Sequence, residues 1–219
     1  MNIPSLLEQL LQSASGGDAT RRADLGKYAT GAAVGGVLGL LLGTRRGRNL
    51  GGRALRYGSV AAIGALAWKA YQEHQARQAA AAGAAASPAA APAAQPPALP
   101  PPQQALHSQA LLKAMIAAAK ADGHLDEREQ GLLQNELDRS GADAATLRWM
   151  AAEVAGPADA AAVAAAATGP EMAAEIYLTS LLVTDETSAA ERAYLDDLAR
   201  HLRLAPSLQA DLEKRALAH

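Results

Sequence analysis

The run GPEMAAEIYLTSLLVTDETSAAERAYL, residues 169–195, opens with a stop-and-start signal and continues as two helices. Gly169 ends what precedes it, and Pro170 suits the first turn of a new helix, where a missing N–H costs nothing. Residues 171–184 then carry Met172, Ile176, Leu178, Leu181, Leu182 and Val183, which place apolar groups nearly all round a helix. A helix of that kind is central and buried. Ser188 with Glu191 three residues later has capping-box spacing and opens a further helix over 188–203, whose apolar residues are Tyr194, Leu195, Leu198 and Leu202.

Working outward, every neighbouring segment also reads as helix. Leu111, Leu112, Met115, Ile116 and Ala119 give an apolar helix ending near Ala121, and Leu132, Leu133 and Leu137 mark another over 126–139. Asp143 is placed to cap a third, carrying Leu147, Met150 and Val154. Gly156–Pro157 stops that helix and starts an alanine-rich one, and the last begins after Pro206 with Leu208, Leu212 and Ala216. No segment alternates as a strand does. The expectation is an all-α domain of about seven helices over residues 106–219. Half the residues are apolar, but much of that is alanine, phenylalanine is absent, and there are only two Trp and five Tyr. Burial is driven by apolar area, so the core is modest and built from Leu, Ile, Val and Met.

Upstream, residues 78–105 hold seven of the eleven prolines among Ala and Gln, with little bulk to bury. They read as a disordered Ala/Pro linker, extended at its proline end, with the alanine end able to prolong the preceding helix. Residues 28–77 are more unusual. Gly31, Gly35, Gly39, Gly43, Gly47 and Gly51 recur every fourth position, a row of small residues that lets helix backbones approach closely in a membrane. Four residues advance about 400° at 3.6 per turn, so a straight helix would not keep all six on one face. Two apolar runs, 30–43 and 57–68, flank the basic stretch holding Arg45, Arg46, Arg48, Arg53 and Arg56. Each run is shorter than the ~20 residues that span a bilayer. Together they fit a glycine-zipper helix or hairpin, a re-entrant segment, or one tilted span with snorkelling arginines that meet lipid headgroups. Trp68 and Tyr71 suit an interfacial anchor. Residues 1–27 comprise a short amphipathic helix over 3–12 and a polar hinge, without the basic start of a secretory signal.

Charge divides the same way. The net charge of −2 conceals ten Lys/Arg against four Asp/Glu in residues 1–80, and ten against eighteen in 81–219. The basic half would face lipid, while nucleic acid is disfavoured because Tyr57 is the only aromatic near the arginines. The absence of cysteine excludes disulfides, thiolate zinc sites and cysteine nucleophiles. The five histidines show no zinc-hydrolase spacing, and no nucleophile elbow, Walker A or dinucleotide fingerprint is present, so no enzymatic activity is expected.

One constellation remains. AKADGHLDEREQGLL (119–133) and LLVTDETSAAERAYL (181–195) echo each other: a buried helix ends, an Asp-containing loop follows, and a capped helix begins. Asp126 with Glu129 and Ser188 with Glu191 fit capping boxes, which explains most of the motif, while Asp122 and Asp185 are explained least. The motif and its second copy resemble the TerB-like domain of tellurite-resistance proteins. The layout, a glycine-rich apolar N-terminal part and a low-complexity linker ahead of that domain, resembles the YebE-type inner-membrane proteins of Gram-negative bacteria. The resemblance implies an all-helical fold of two pseudo-repeats, a bacterial inner-membrane location and a membrane-linked stress role. It further implies a metal site at Asp122, Asp126, Glu129, Asp185 and Glu191, and carboxylates suit calcium or magnesium. Glu186 and Ser188 depart from the first copy and weaken a two-loop site. The resulting expectation is a non-enzymatic, membrane-anchored protein that self-associates through its glycines and binds an unknown protein partner. The alternatives are a soluble interaction module whose glycine segment packs on a partner, and a metal-dependent enzyme.

Overall fold

The computed structural model describes residues 60–81, 101–121, 143–184 and 188–217. Among these the chain is all-helical: α1 (Val60–Ala81), α2 (Pro101–Ala119), α3 (Ala144–Ala155), α4 (Ala160–Ala164), α5 (Pro170–Val183), α6 (Ala189–His201) and α7 (Pro206–Leu217). The expected helices at 3–12 and 126–139, the glycine row Gly31 to Gly51 and the arginines Arg45, Arg46, Arg48, Arg53 and Arg56 lie outside the described residues.

Helix α5 is the axis of the bundle. Every residue from Met172 to Val183 is buried, and α1, α2, α4, α6 and α7 all pack against it. The apolar pattern, nearly all round, is the cause: with Met, Ile, Tyr, Leu and Val on most of its faces the helix finds its lowest free energy enclosed, and Glu175, Thr179 and Ser180 are buried with it. Tyr177, Ile176, Leu178 and Leu181 are among the most deeply enclosed side chains, together with Leu112 and Ile116 of α2 and Met150 of α3. The Tyr177 hydroxyl donates to Glu213 Oε1 on α7 at 2.8 Å, and the same oxygen accepts from Arg192 of α6 at 3.0 Å. One carboxylate therefore joins three helices at the end of a buried phenol.

Helix boundaries follow local chemistry. Asp143 caps α3, its Oδ1 accepting from the N–H groups of Ala145 (3.1 Å) and Thr146 (2.9 Å), and these bonds hold its carboxyl below the usual range. Asp159 caps the short α4 through Ala162 N at 3.0 Å. Helix α2 begins at Pro101, earlier than the expected 106, because consecutive prolines 101 and 102 are tolerated in a first helical turn. At the other end of the expected linker, α1 runs on to Ala81. No described helix is long and apolar enough to cross a membrane.

Helix α1 extends the bundle beyond the 106–219 domain. Ile63, Ala67, Ala70 and His74 recur at helical spacing, are buried, and form the stripe that meets α5 and α7. Arg77 pairs with Asp211, and Arg215 with Glu73, tying α1 to α7 at its rim. Tyr71, read from sequence as an interfacial anchor, lies half-buried against the bundle core. Its position one residue after Ala70 places it beside the packed stripe.

Candidate functional site

Three polar constructions stand out against this alanine-rich frame. The first is where the acidic loops attach. Of the residues expected to hold a metal, Asp122, Asp126, Glu129 and Asp185 lie outside the described residues. Glu191 is described and buried, and its carboxylate reaches back to Ser188 N at 3.4 Å while Ser188 Oγ accepts from Glu191 N at 3.4 Å and Ala190 N at 3.1 Å. The capping box read from the sequence is formed. Among the described residues no group of three or more His, Cys, Asp or Glu side chains is arranged to hold a metal ion.

The start of the first acidic loop is anchored by Lys120, a residue with no signal in the local sequence. Lys120 is buried just past the end of α2, and its ammonium donates to the carbonyls of Glu153, Val154 (3.1 Å) and Gly156. These are carbonyls at the C-terminal end of α3, where no intrahelical N–H is available and the helix dipole is negative. Burial pulls the Lys120 pKa down from its usual value, and Glu153 opposes that shift.

The second construction joins α1, α2 and α5. His107 Nε2 lies 3.0 Å from Glu175 Oε2, and Glu175 is buried. A Cβ on Gly64 would come within 2.9 Å of Glu175 Oε1, so glycine at this point of α1 makes the space for the carboxylate. The hydrogen bond to Glu175 outweighs burial and raises the His107 pKa above the ordinary 6.5. Sequence spacing could not have found this pair, because its partners lie on two helices far apart in sequence and the glycine that makes room for them is on a third.

The third is a cavity of about 500 Å³ between α1, the start of α5 and the α6–α7 turn. Tyr71, His74, Gln75 and Gln78 line one wall, Pro170 and Ala173 another, and Arg203 stands at the turn above Leu202 and Leu208. His74 is held on both ring nitrogens, Nε2 to the Gln78 amide nitrogen at 2.7 Å and Nδ1 to Ser207 Oγ at 3.5 Å. The Tyr71 hydroxyl accepts from Gln75, which leaves its own proton to donate elsewhere.

Arg203 has φ of 55°, and among the described residues it is the one non-glycine position with positive φ. Its N–H bonds Arg200 O at 3.1 Å, and Leu204 N–H bonds Ala199 O at 3.0 Å, the pairing of a Schellman helix end. That position is normally glycine, and an L-residue with a side chain costs about 1–2 kcal/mol there. Local strain of this kind concentrates at functional sites.

No solved structure matches the chain. A protein of Yersinia enterocolitica described as "Uncharacterized protein in ampR 5'region" is 26% identical over 106 residues, which cover 48% of this chain and 76% of the relative. A family described as "Protein of unknown function (DUF533)" matches residues 27–216, spanning the glycine-rich segment, the Ala/Pro stretch and the helical bundle alike, and the chain belongs to that family.

Proposed function

We propose that the chain is a non-enzymatic, membrane-anchored protein of the YebE type, acting in envelope stress. Its TerB-like helical domain binds a partner protein, with calcium or magnesium at the acidic loops as a co-ligand. The glycine row Gly31 to Gly51 drives self-association in the bacterial inner membrane, and the arginines between the apolar runs meet lipid headgroups. The observation that carries this reading is the position of α1. The helix follows directly on the apolar, glycine-rich part of the sequence and forms a wall of the bundle through Ile63, Ala67 and Ala70. An anchored segment would then be coupled to the binding domain by packed helix rather than by a loose tether. The family match across both parts supports treating them as one working unit.

The same observation favours a second reading. Apolar residues of α1 are occupied by protein contacts, as they would be in an interaction module that has no integral anchor. Membrane fractionation of the full chain against residues 60–219, with high-salt and carbonate washes, separates the two. An anchored protein stays with the membrane through both washes only when residues 1–59 are present. Release of the full chain by salt would sink the anchored reading and leave electrostatic adhesion through the arginines.

A further inference from the structure

The cavity at the α6–α7 turn has an apolar floor, with Leu202, Leu204 and Leu208 among its lining, and polar groups that can donate. Arg203 offers a planar fork of N–H groups, the Tyr71 hydroxyl has a proton to give, Gln75 and Gln78 carry amide N–H groups, and among the described residues no carboxylate lines the space. Glu171, on the first turn of α5, is not among the lining residues. Nearby Arg77, Arg200 and Arg215 each face a carboxylate, Asp211, Asp197 and Glu73 respectively. Arg203 makes no such pair among the described residues. Helix α5 also starts at the cavity wall with Pro170; its N-cap Gly169 supplies no side-chain cap, and the Glu171 carboxylate in the first turn complements the positive end of the dipole. The backbone at Arg203 is left-handed, at a position where glycine would serve the turn better.

We propose that this cavity binds a small phosphate-bearing ligand, gripped by the Arg203 guanidinium and oriented by Tyr71 and Gln75. Arginine matches phosphate with paired, charge-assisted hydrogen bonds, and neutral donors complete the coordination without adding repulsive charge. His74 positions rather than contacts: fixed between Gln78 and Ser207, it holds the Gln78 amide at the rim. The phosphate comes either from a soluble phosphate monoester or from a lipid headgroup. The site makes no use of the acidic loops or of the N-terminal segment, so it stands apart from the anchoring proposed above.

The test is saturation binding of inorganic phosphate and of glycerol phosphate to the full chain, followed by thermal stabilisation and calorimetry against chloride at equal ionic strength. Arg203→Gly relieves the left-handed strain, so this variant folds with stability equal to or above the parent. It should bind phosphate at least roughly tenfold more weakly, the loss expected when one charge-assisted contact goes. Arg200→Gln removes a neighbouring positive charge outside the cavity and should bind like the parent. Competition by phosphatidylglycerol vesicles with the phosphate held in the cavity assigns the headgroup as source. Binding of glycerol phosphate that such vesicles leave untouched assigns a soluble ester. Absence of saturable phosphate binding in the parent chain overturns the proposal, as does equal loss in Arg203→Gly and Arg200→Gln, which would reduce the effect to net charge.

Discussion

Helices α1 and α5 lie against each other and are built by opposite rules. Helix α5 is enclosed on every side and contributes bulk, with Met, Ile, Tyr, Leu and Val distributed round its circumference. Helix α1 buries one narrow stripe made mostly of small residues, and beyond His74 it is exposed. The first organises the core, since five other helices need it. The second gains its place by close approach: Ala67, Ala70 and Gly64 keep the two helices near enough for Glu175 to fit between α1 and His107. Bulk makes a helix indispensable, whereas small residues make it a cover that depends on what lies beneath.

That contrast can be tested in descending order of effect. Removing α1 should be the most costly change. Residues 101–219 are expected to be less stable than 60–219 by on the order of 5 kcal/mol, from the lost burial of Ile63 and the uncovered face of α5. Since total stabilities are about 5–15 kcal/mol, the shorter fragment would be marginal. Equal denaturation midpoints for the two fragments would mean α1 is ornament. Next, truncations at matched chemistry should separate the helices. Ile176→Ala in α5 should cost about 4 kcal/mol and Ile63→Ala in α1 about 2, because the edge of a bundle collapses round a lost methyl group more easily than its centre. Urea denaturation of the two variants checks this, and identical losses would erase the distinction.

The smallest expected effect is the most specific. Gly64→Ala gains about 1 kcal/mol of helix propensity but drives a Cβ into Glu175 Oε1, displacing the carboxylate from His107. The two changes roughly offset in stability, and the visible consequence is a His107 pKa that falls back toward 6.5, read by NMR titration. The sign in the parent follows from a raised folded-state pKa. The pair's contribution is complete below the unfolded value of 6.5 and is lost as pH rises through the folded one. Stability of the parent should therefore decline across that alkaline step, and Gly64→Ala should show less of it. A parent chain with no such step would remove the ion pair from the account of how α1 docks.

Much of the helical frame could be read from residues near one another in the chain. Asp143, Ser188 with Glu191, Gly156–Pro157 and Gly169–Pro170 are local signals, and each marks a helix boundary where expected. The burial of α5 was equally legible, because a helix apolar nearly all round has only one resolution in a bundle. Three things were not. The role of α1 was obscured because Ile63, Ala67 and Ala70 are as consistent with lipid as with protein, and only the identity of the opposing surface separates the two. Lys120 and His107 were opaque because their partners, the end of α3 and Glu175, are distant in sequence. Arg203 carried no sequence signal, since nothing short of its backbone angle distinguishes it from the other exposed arginines.

Helix α1 ends at Ala81 and α2 begins at Pro101, so the covering helix and the body it covers are joined through the Ala/Pro-rich stretch between them. The buried stripe and the ion pairs to α7 are non-covalent. Cutting the chain within that stretch would therefore divide the protein without necessarily separating its halves: the N-terminal piece, α1 included, would persist as a bound subunit of the remainder. In this respect the single chain resembles a heterodimer whose two members are joined by the Ala/Pro-rich stretch. A protease acting between them would convert an intramolecular docking event into a bimolecular one, making cohesion of the molecule depend on its concentration.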